Sequence, residues 1–180
     1  MTSTNFLKYT LFPWLLFFLY SATSAQSYQL NQAPDTIISL KKYTKLYIDK
    51  ERISTLETVL NLKEDTFISL EEFSIPPKFE GGKYRYWFRF SIQNSHPTDT
   101  IETFLWIKPS DTLHLYQYEQ GILSRTIKGH HNKDFDLEQK SQFLTKNQFF
   151  PLSISPNTRY DYWVMACTRM SASNLLIQLL

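Results

Sequence analysis

The sequence predicts an all-β sandwich, and three observations carry that prediction. From about residue 36 onward, short runs of alternating apolar and polar residues follow one another, with turn residues at roughly 8–15-residue spacing. Only one stretch has helical spacing. The chain has 180 residues with 16% aromatics and 4 glycines, enough for one domain with its own core.

Residues 1–25 stand apart. Lys8 is followed by the apolar run Tyr9–Tyr20 and by the small residues Ser21–Ala25, which read as a secretory signal peptide cleaved after Ala25. A retained anchor helix is the alternative, but the run is about 12 residues against the ~20 that span a bilayer. The product is expected outside the cytoplasm, in the periplasm or at the cell surface. Residues 26–35 are polar and contain Pro34, and they read as a linker to a domain over 36–180.

That domain opens with two short strands, Thr36–Leu40 and Lys45–Asp49. In Thr55–Leu62 apolar residues stand at 56, 59 and 60, and Ser54 or Thr55 can cap them, so a helix of about two turns is expected there. Phe67–Leu70 follows as a strand. Phe73–Pro77 carries two prolines and fits an edge or a loop.

The strongest strand is Lys83–Asn94, opened by Gly81-Gly82 and closed by Asn94-Ser-His-Pro97. Tyr84, Tyr86, Phe88, Phe90 and Ile92 share one face, which must be core. Arg85, Trp87, Arg89, Ser91 and Gln93 share the other. Ile101–Lys108 is a strand ended by Pro109. Thr112–Tyr118 is another, and Glu119-Gln-Gly121 turns it towards Ile122–Ile127. Gly129–Gln142 is a long polar loop. Phe149–Ile154 is extended, Ser155-Pro-Asn-Thr158 is a turn, and Tyr160–Thr168 is apolar on both faces, as an interior strand must be. Asn174–Leu180 closes the set, which makes about eight strands.

Several functions are disfavoured by composition. A net charge of +2 gives no basis for nucleic-acid binding. One cysteine, Cys167, cannot form an intrachain disulfide. No nucleophile elbow, phosphate loop, dinucleotide fingerprint or paired zinc-ligand motif occurs, so no cofactor, metal or catalytic residue is predicted. His130-His131 with Asp134 and Asp136 is the one cluster of possible ligands, and a solvated loop explains it. Glu71-Glu72 and Asp134/Asp136 offer carboxylates for a hydrolase, but without a partner geometry. The aromatic residues remain. A shallow platform of flat rings and a few polar groups suits sugars, and Trp87 beside Arg89, Trp106, Tyr116 and the loop at His130 are the candidate ligand residues. Burial of both tryptophans as framework is the competing explanation.

The order of these segments resembles a known family. Tyr86-Trp-Phe-Arg-Phe-Ser-Ile-Gln-Asn94 is similar to the W-x-R-F-x-(hydrophobic)-x-N signature of the type 2 extracellular domain of seven-transmembrane receptors with diverse intracellular signalling modules. Lys45–Asp49, Phe104–Ile107, Asp111–Tyr116, Phe150-Pro-Leu-Ser-Ile-Ser-Pro156, Tyr160–Val164 and Leu175–Leu179 match its other segments in order, over roughly 36–180. Members often carry an Arg shortly before the Phe-Pro-Leu segment, where this chain has Lys146-Asn-Gln148. The resemblance implies a jelly-roll sandwich like that of carbohydrate-binding modules. It also implies a non-catalytic sensor for a small molecule, with carbohydrates favoured. Family members continue into membrane helices and an output domain. A chain ending at Leu180 is therefore expected as a truncated receptor, a fragment or a free-standing sensor without those modules. A protein-interaction module of the cell envelope is the alternative function.

Overall fold

The structure, a computed structural model, describes residues 26–73, 84–108, 112–129, 148–167 and 176–180. Eleven strands lie among them: β1 (Tyr28–Leu30), β2 (Ile38–Ser39), β3 (Lys45–Asp49), β4 (Ile68–Ser69), β5 (Arg85–Asn94), β6 (Ile101–Lys108), β7 (Thr112–Glu119), β8 (Ile122–Gly129), β9 (Gln148–Ile154), β10 (Arg159–Cys167) and β11 (Leu176–Leu179). The expected helix is present as α1 (Leu56–Leu60), with Thr55 as its N-cap. Residues 1–25, expected as a signal peptide, Ser74–Pro77, the loop with His130, His131, Asp134 and Asp136, and Lys146-Asn147 lie outside the described residues.

The strands form two sheets. One runs β4-β3-β5-β10-β7-β8, with β1 added alongside β5, and the other runs β2-β11-β6-β9. β5 is the hub of the larger sheet. β10 pairs antiparallel with it from Arg159↔Gln93 to Cys167↔Arg85. Its other edge is shared, because β3 takes residues 85–89 and β1 takes 92–94, the latter in parallel. Leu30 of β1 is 2% exposed, so the segment expected as a linker contributes a strand to the sheet. Tyr28 and Leu30 were an alternation too short to read as a strand.

The face of β5 expected to be core is core. Tyr86, Phe88, Phe90 and Ile92 pack with Leu46, Leu113, Leu115, Tyr162 and Val164 of the same sheet. Across from them stand Ile101, Leu105, Ile107, Phe150, Leu152, Ile154, Ile177 and Leu179 of the four-stranded sheet. Each such side chain contributes ~1.5–3 kcal/mol through removal from water. β10 lies between β5 and β7, with the main core against Tyr162 and Val164 on one face and Val59 and Phe67 clustered with Trp163 and Met165 on the other, which explains why its sequence is apolar on both faces. Asn94 ends β5 as a fully buried fastener. Its Nδ2 donates to the carbonyls of Asp99 and Ile154, each at 2.8 Å, and its Oδ1 accepts from His96 N at 2.8 Å.

Candidate functional site

Alternation along β5 sends Arg85, Trp87 and Arg89 to the outer face of the seven-stranded sheet. Register places Trp163, Met165 and Cys167 of β10 beside them, and then Tyr116 and His114 of β7. Part of this face is not solvent. The segment through α1 lies over it, and Val59 and Phe67 bury Trp87, Trp163 and Met165 in a second apolar cluster. Thr55 Oγ1 accepts from Thr58 N at 3.2 Å, which starts the helix at the residue that lets Val59 face the sheet.

Both arginines fasten this cover. Arg89 donates from Nη1 to Glu64 Oε2 at 2.9 Å, and its guanidinium lies 5.7 Å from the Phe67 ring centre and 5.3 Å from that of Trp163. Arg85 donates from Nη1 to the Ser54 carbonyl at 2.7 Å, with Asp49 Oδ2 at 3.8 Å. Asp49 Oδ2 in turn accepts from Ser54 N at 2.9 Å. Trp87 is 2% exposed, so its ring is framework and presents no open stacking surface. Arg89, between two aromatic rings and a carboxylate, is likewise framework here. Tyr116 is half-buried and stacks on Trp87 with ring centres 6.3 Å apart and an interplanar angle of 20°. Its hydroxyl lies 3.4 Å from His114 Nδ1. Burial pushes the Tyr116 hydroxyl pKa up, and the nearby Arg85 charge pulls it back.

Trp106 belongs to a different surface. In β6, Ile101, Thr103, Leu105 and Ile107 are buried inward, which leaves Glu102, Phe104 and Trp106 outward on the four-stranded sheet. The two outer faces of a sandwich point in opposite directions, so the structure separates Trp106 from Trp87, Arg89 and Tyr116. Trp106 is half-buried and stacks on Phe149 of β9, with ring centres 5.9 Å apart and planes within 12°. Gln178 of β11 flanks it in register. Trp106 Nε1 and Gln178 Oε1 are both buried without a hydrogen-bond partner among the described residues. At the far end of the same face, Ser153 Oγ donates to Glu102 Oε1 at 2.6 Å. The arrangement is a pair of parallel rings with one donor and one acceptor beside them, suited to a ligand with an apolar face and hydroxyl edges.

Phe149 and Gln178 were not predicted. They were legible only as odd positions in alternating strands, because Phe149-Phe150 has no periodicity to say which ring faces out. His130 lies outside the described residues. Among the described residues no group of three or more His, Cys, Asp or Glu side chains could hold a metal.

A family model described as 7TMR-DISM extracellular 2 matches residues 41–179. No curated protein matches the chain. Among solved structures, a β-glucosidase from Kluyveromyces marxianus is similar, at 12% identity and a TM-score of 0.42. That match covers 82% of this chain and 19% of the other. A GH31 α-xylosidase from Xanthomonas citri matches at 12% identity and a TM-score of 0.33, over 84% of this chain and 16% of the other. The chain thus spans less than a fifth of either.

Proposed function

The chain belongs to the 7TMR-DISM extracellular 2 family, and from that premise we propose that it is the non-catalytic, ligand-sensing input module of a membrane signalling receptor. The match over residues 41–179 is the observation that carries this reading. An extracellular-domain family implies an exported location, and we assign the export signal to residues 1–25, with release into the periplasm or at the cell surface. Among the described residues no helix is long and apolar enough to cross a membrane. The receptor's transmembrane and cytoplasmic modules are the expected partners.

The proposed ligand is a carbohydrate or related small molecule, received on the Trp106–Phe149 face of the four-stranded sheet. Stacked rings take the apolar face of a pyranose, and Gln178 beside them is available to its hydroxyls. No chemistry is required of such a module. A ligand acts by binding one arrangement of the receptor more tightly than another.

A panel of neutral oligosaccharides titrated calorimetrically into the chain tests this reading. Saturable binding is expected, and Trp106→Ala should weaken it by about tenfold, or ~1.4 kcal/mol. Absence of binding across the panel would remove the carbohydrate reading. A second reading, a protein-docking module, is favoured by exposed Ile53 and Leu60 in the segment over the seven-stranded sheet and by exposed Ile68 in its edge strand β4. A defined envelope partner lost with Ile53→Ser and Leu60→Ser would support it.

A further inference from the structure

The outer face of the four-stranded sheet is laid out in rows. Register sets Trp106 beside Phe149, Phe104 beside Pro151 and Glu102 beside Ser153, and alternation turns all six outward from β6 and β9. Gln178 of β11 extends the first row. Leu180 extends the second, where its backbone exchanges hydrogen bonds of 3.0 and 3.2 Å with that of Phe104. Successive outward positions on a strand stand ~7 Å apart. Two apolar rows are therefore followed by a polar one, ~14 Å along β6 from Trp106. There Ser153 Oγ donates to Glu102 Oε1 at 2.6 Å, and both side chains are exposed. A single sugar seated on Trp106 and Phe149 does not reach that pair.

Size and charge narrow what lies along these rows. Four strands at ~4.8 Å and three rows at ~7 Å make a face of about 400 Å² in plan. A standard protein interface takes ~800 Å² from each partner, so a second protein or a second copy is a poor fit. Among the described outward side chains of β6, β9 and β11, Glu102 carries the one charge. An anionic ligand meets it as a like charge, whereas a neutral one is not penalised. A carboxylate has about four acceptor sites, and the Ser153 hydroxyl takes one, which leaves acceptors for hydroxyls.

We infer that this face binds a linear, neutral oligosaccharide whose units follow one another along β6 and β9. One unit lies at the Trp106–Phe149 rings beside Gln178, the next over Phe104 and Pro151, and the far end meets Glu102 and Ser153. Half-buried apolar side chains in the first two rows take the C–H faces of the sugars, and the third row takes hydroxyls. The inference rests on the carbohydrate reading of this face and adds the ligand's length, its charge and the line it follows.

Calorimetric titration of the full chain with glucose, mannose and xylose, with the linear tetrasaccharides of each, and with tetragalacturonate tests the inference. At least one neutral tetrasaccharide should bind saturably, about tenfold or more tighter than its own monosaccharide. Tetragalacturonate should bind about tenfold or more weakly than that tetrasaccharide. Phe104→Ala should weaken the tetrasaccharide by about tenfold, and Glu102→Ala by about threefold. Glu102 is exposed, so its variant remains folded even if Phe104→Ala does not. A monosaccharide binding as tightly as its tetrasaccharide, tetragalacturonate binding as tightly as the neutral chain, or full tetrasaccharide affinity in Glu102→Ala would overturn the inference while the carbohydrate reading stands. Binding of none of these sugars would remove that reading and the inference together.

Discussion

Trp87→Ala should cost ~3–5 kcal/mol, because it empties the centre of the cluster formed by Val59, Phe67, Trp163 and Met165. Trp87→Phe should change stability by less than ~1.5 kcal/mol. It loses some ring area but also removes a buried donor that has no partner among the described residues. Urea denaturation of the two variants separates packing from hydrogen bonding at this one side chain, and equal losses would show that the N–H is bonded after all. The sequence at this point reads Arg-Trp-Arg, a pattern that fits an exposed platform as well as a covered one. What covers Trp87 comes from residues 20–28 positions earlier, Val59 and Phe67. Neighbours at that separation leave no local trace, so the framework role of Trp87 and Arg89 was not legible from the strand itself. Trp106 was legible as an outward aromatic, but its stacking partner Phe149 was not.

Hairpins and caps follow local rules, and here the sequence is a good guide. β7 and β8 are joined by two residues, Gln120 and Gly121, with φ of 49° and 80°. Two successive positive φ values make the type I′ turn that suits the right-handed twist of paired strands. Gly121 meets this requirement without strain, whereas Gln120 carries a Cβ in a region that Asn tolerates better. Gln120→Asn should therefore raise stability by roughly 0.5–1 kcal/mol, read as a higher urea midpoint with an unchanged slope. No gain would mean that the turn relaxes away from type I′. Helix α1 shows the same legibility in part: Thr55 specifies its start, and of the apolar residues at 56, 59 and 60 Val59 is buried while Leu60 stays exposed. β1 escaped because three residues give too little alternation to distinguish a strand from a polar leader.

Over the whole molecule, the core carries phenols that must stay neutral. Burial pushes the Tyr162 hydroxyl pKa far above its ordinary value, the Tyr160 phenol beside it adds to the rise, and Arg125 offsets part of it. Burial raises Tyr86 as well. The folded state thus holds these protons more tightly than the unfolded chain, whose tyrosines ionise near ~10. Their contribution to stability is complete below about pH 10 and is lost as pH rises towards the folded values. Urea midpoints should be level through neutral pH and fall steeply above about pH 10. Tyr162→Phe should lessen that fall, since it also removes a buried hydroxyl without a partner among the described residues. An identical alkaline fall in the variant would place the sensitivity elsewhere.

By itself the sequence determined the all-β class, the strand hub with its inward face of Tyr86, Phe88, Phe90 and Ile92, the central position of β10, the helix at Thr55, and membership of the family. Each of these depends on period-two or helical spacing, capping chemistry or an ordered string of short motifs, all written along the chain. Tertiary structure alone decided which outward aromatics are covered. It set Trp87, Arg89 and Tyr116 on one outer face and Trp106 with Phe149 and Gln178 on the other. It also left Arg85 Nε and Trp87 Nε1 buried without a hydrogen-bond partner among the described residues. The reason is physical: alternation gives each side chain a face, but only the pairing order of strands distant in sequence decides which faces are shared and which are covered.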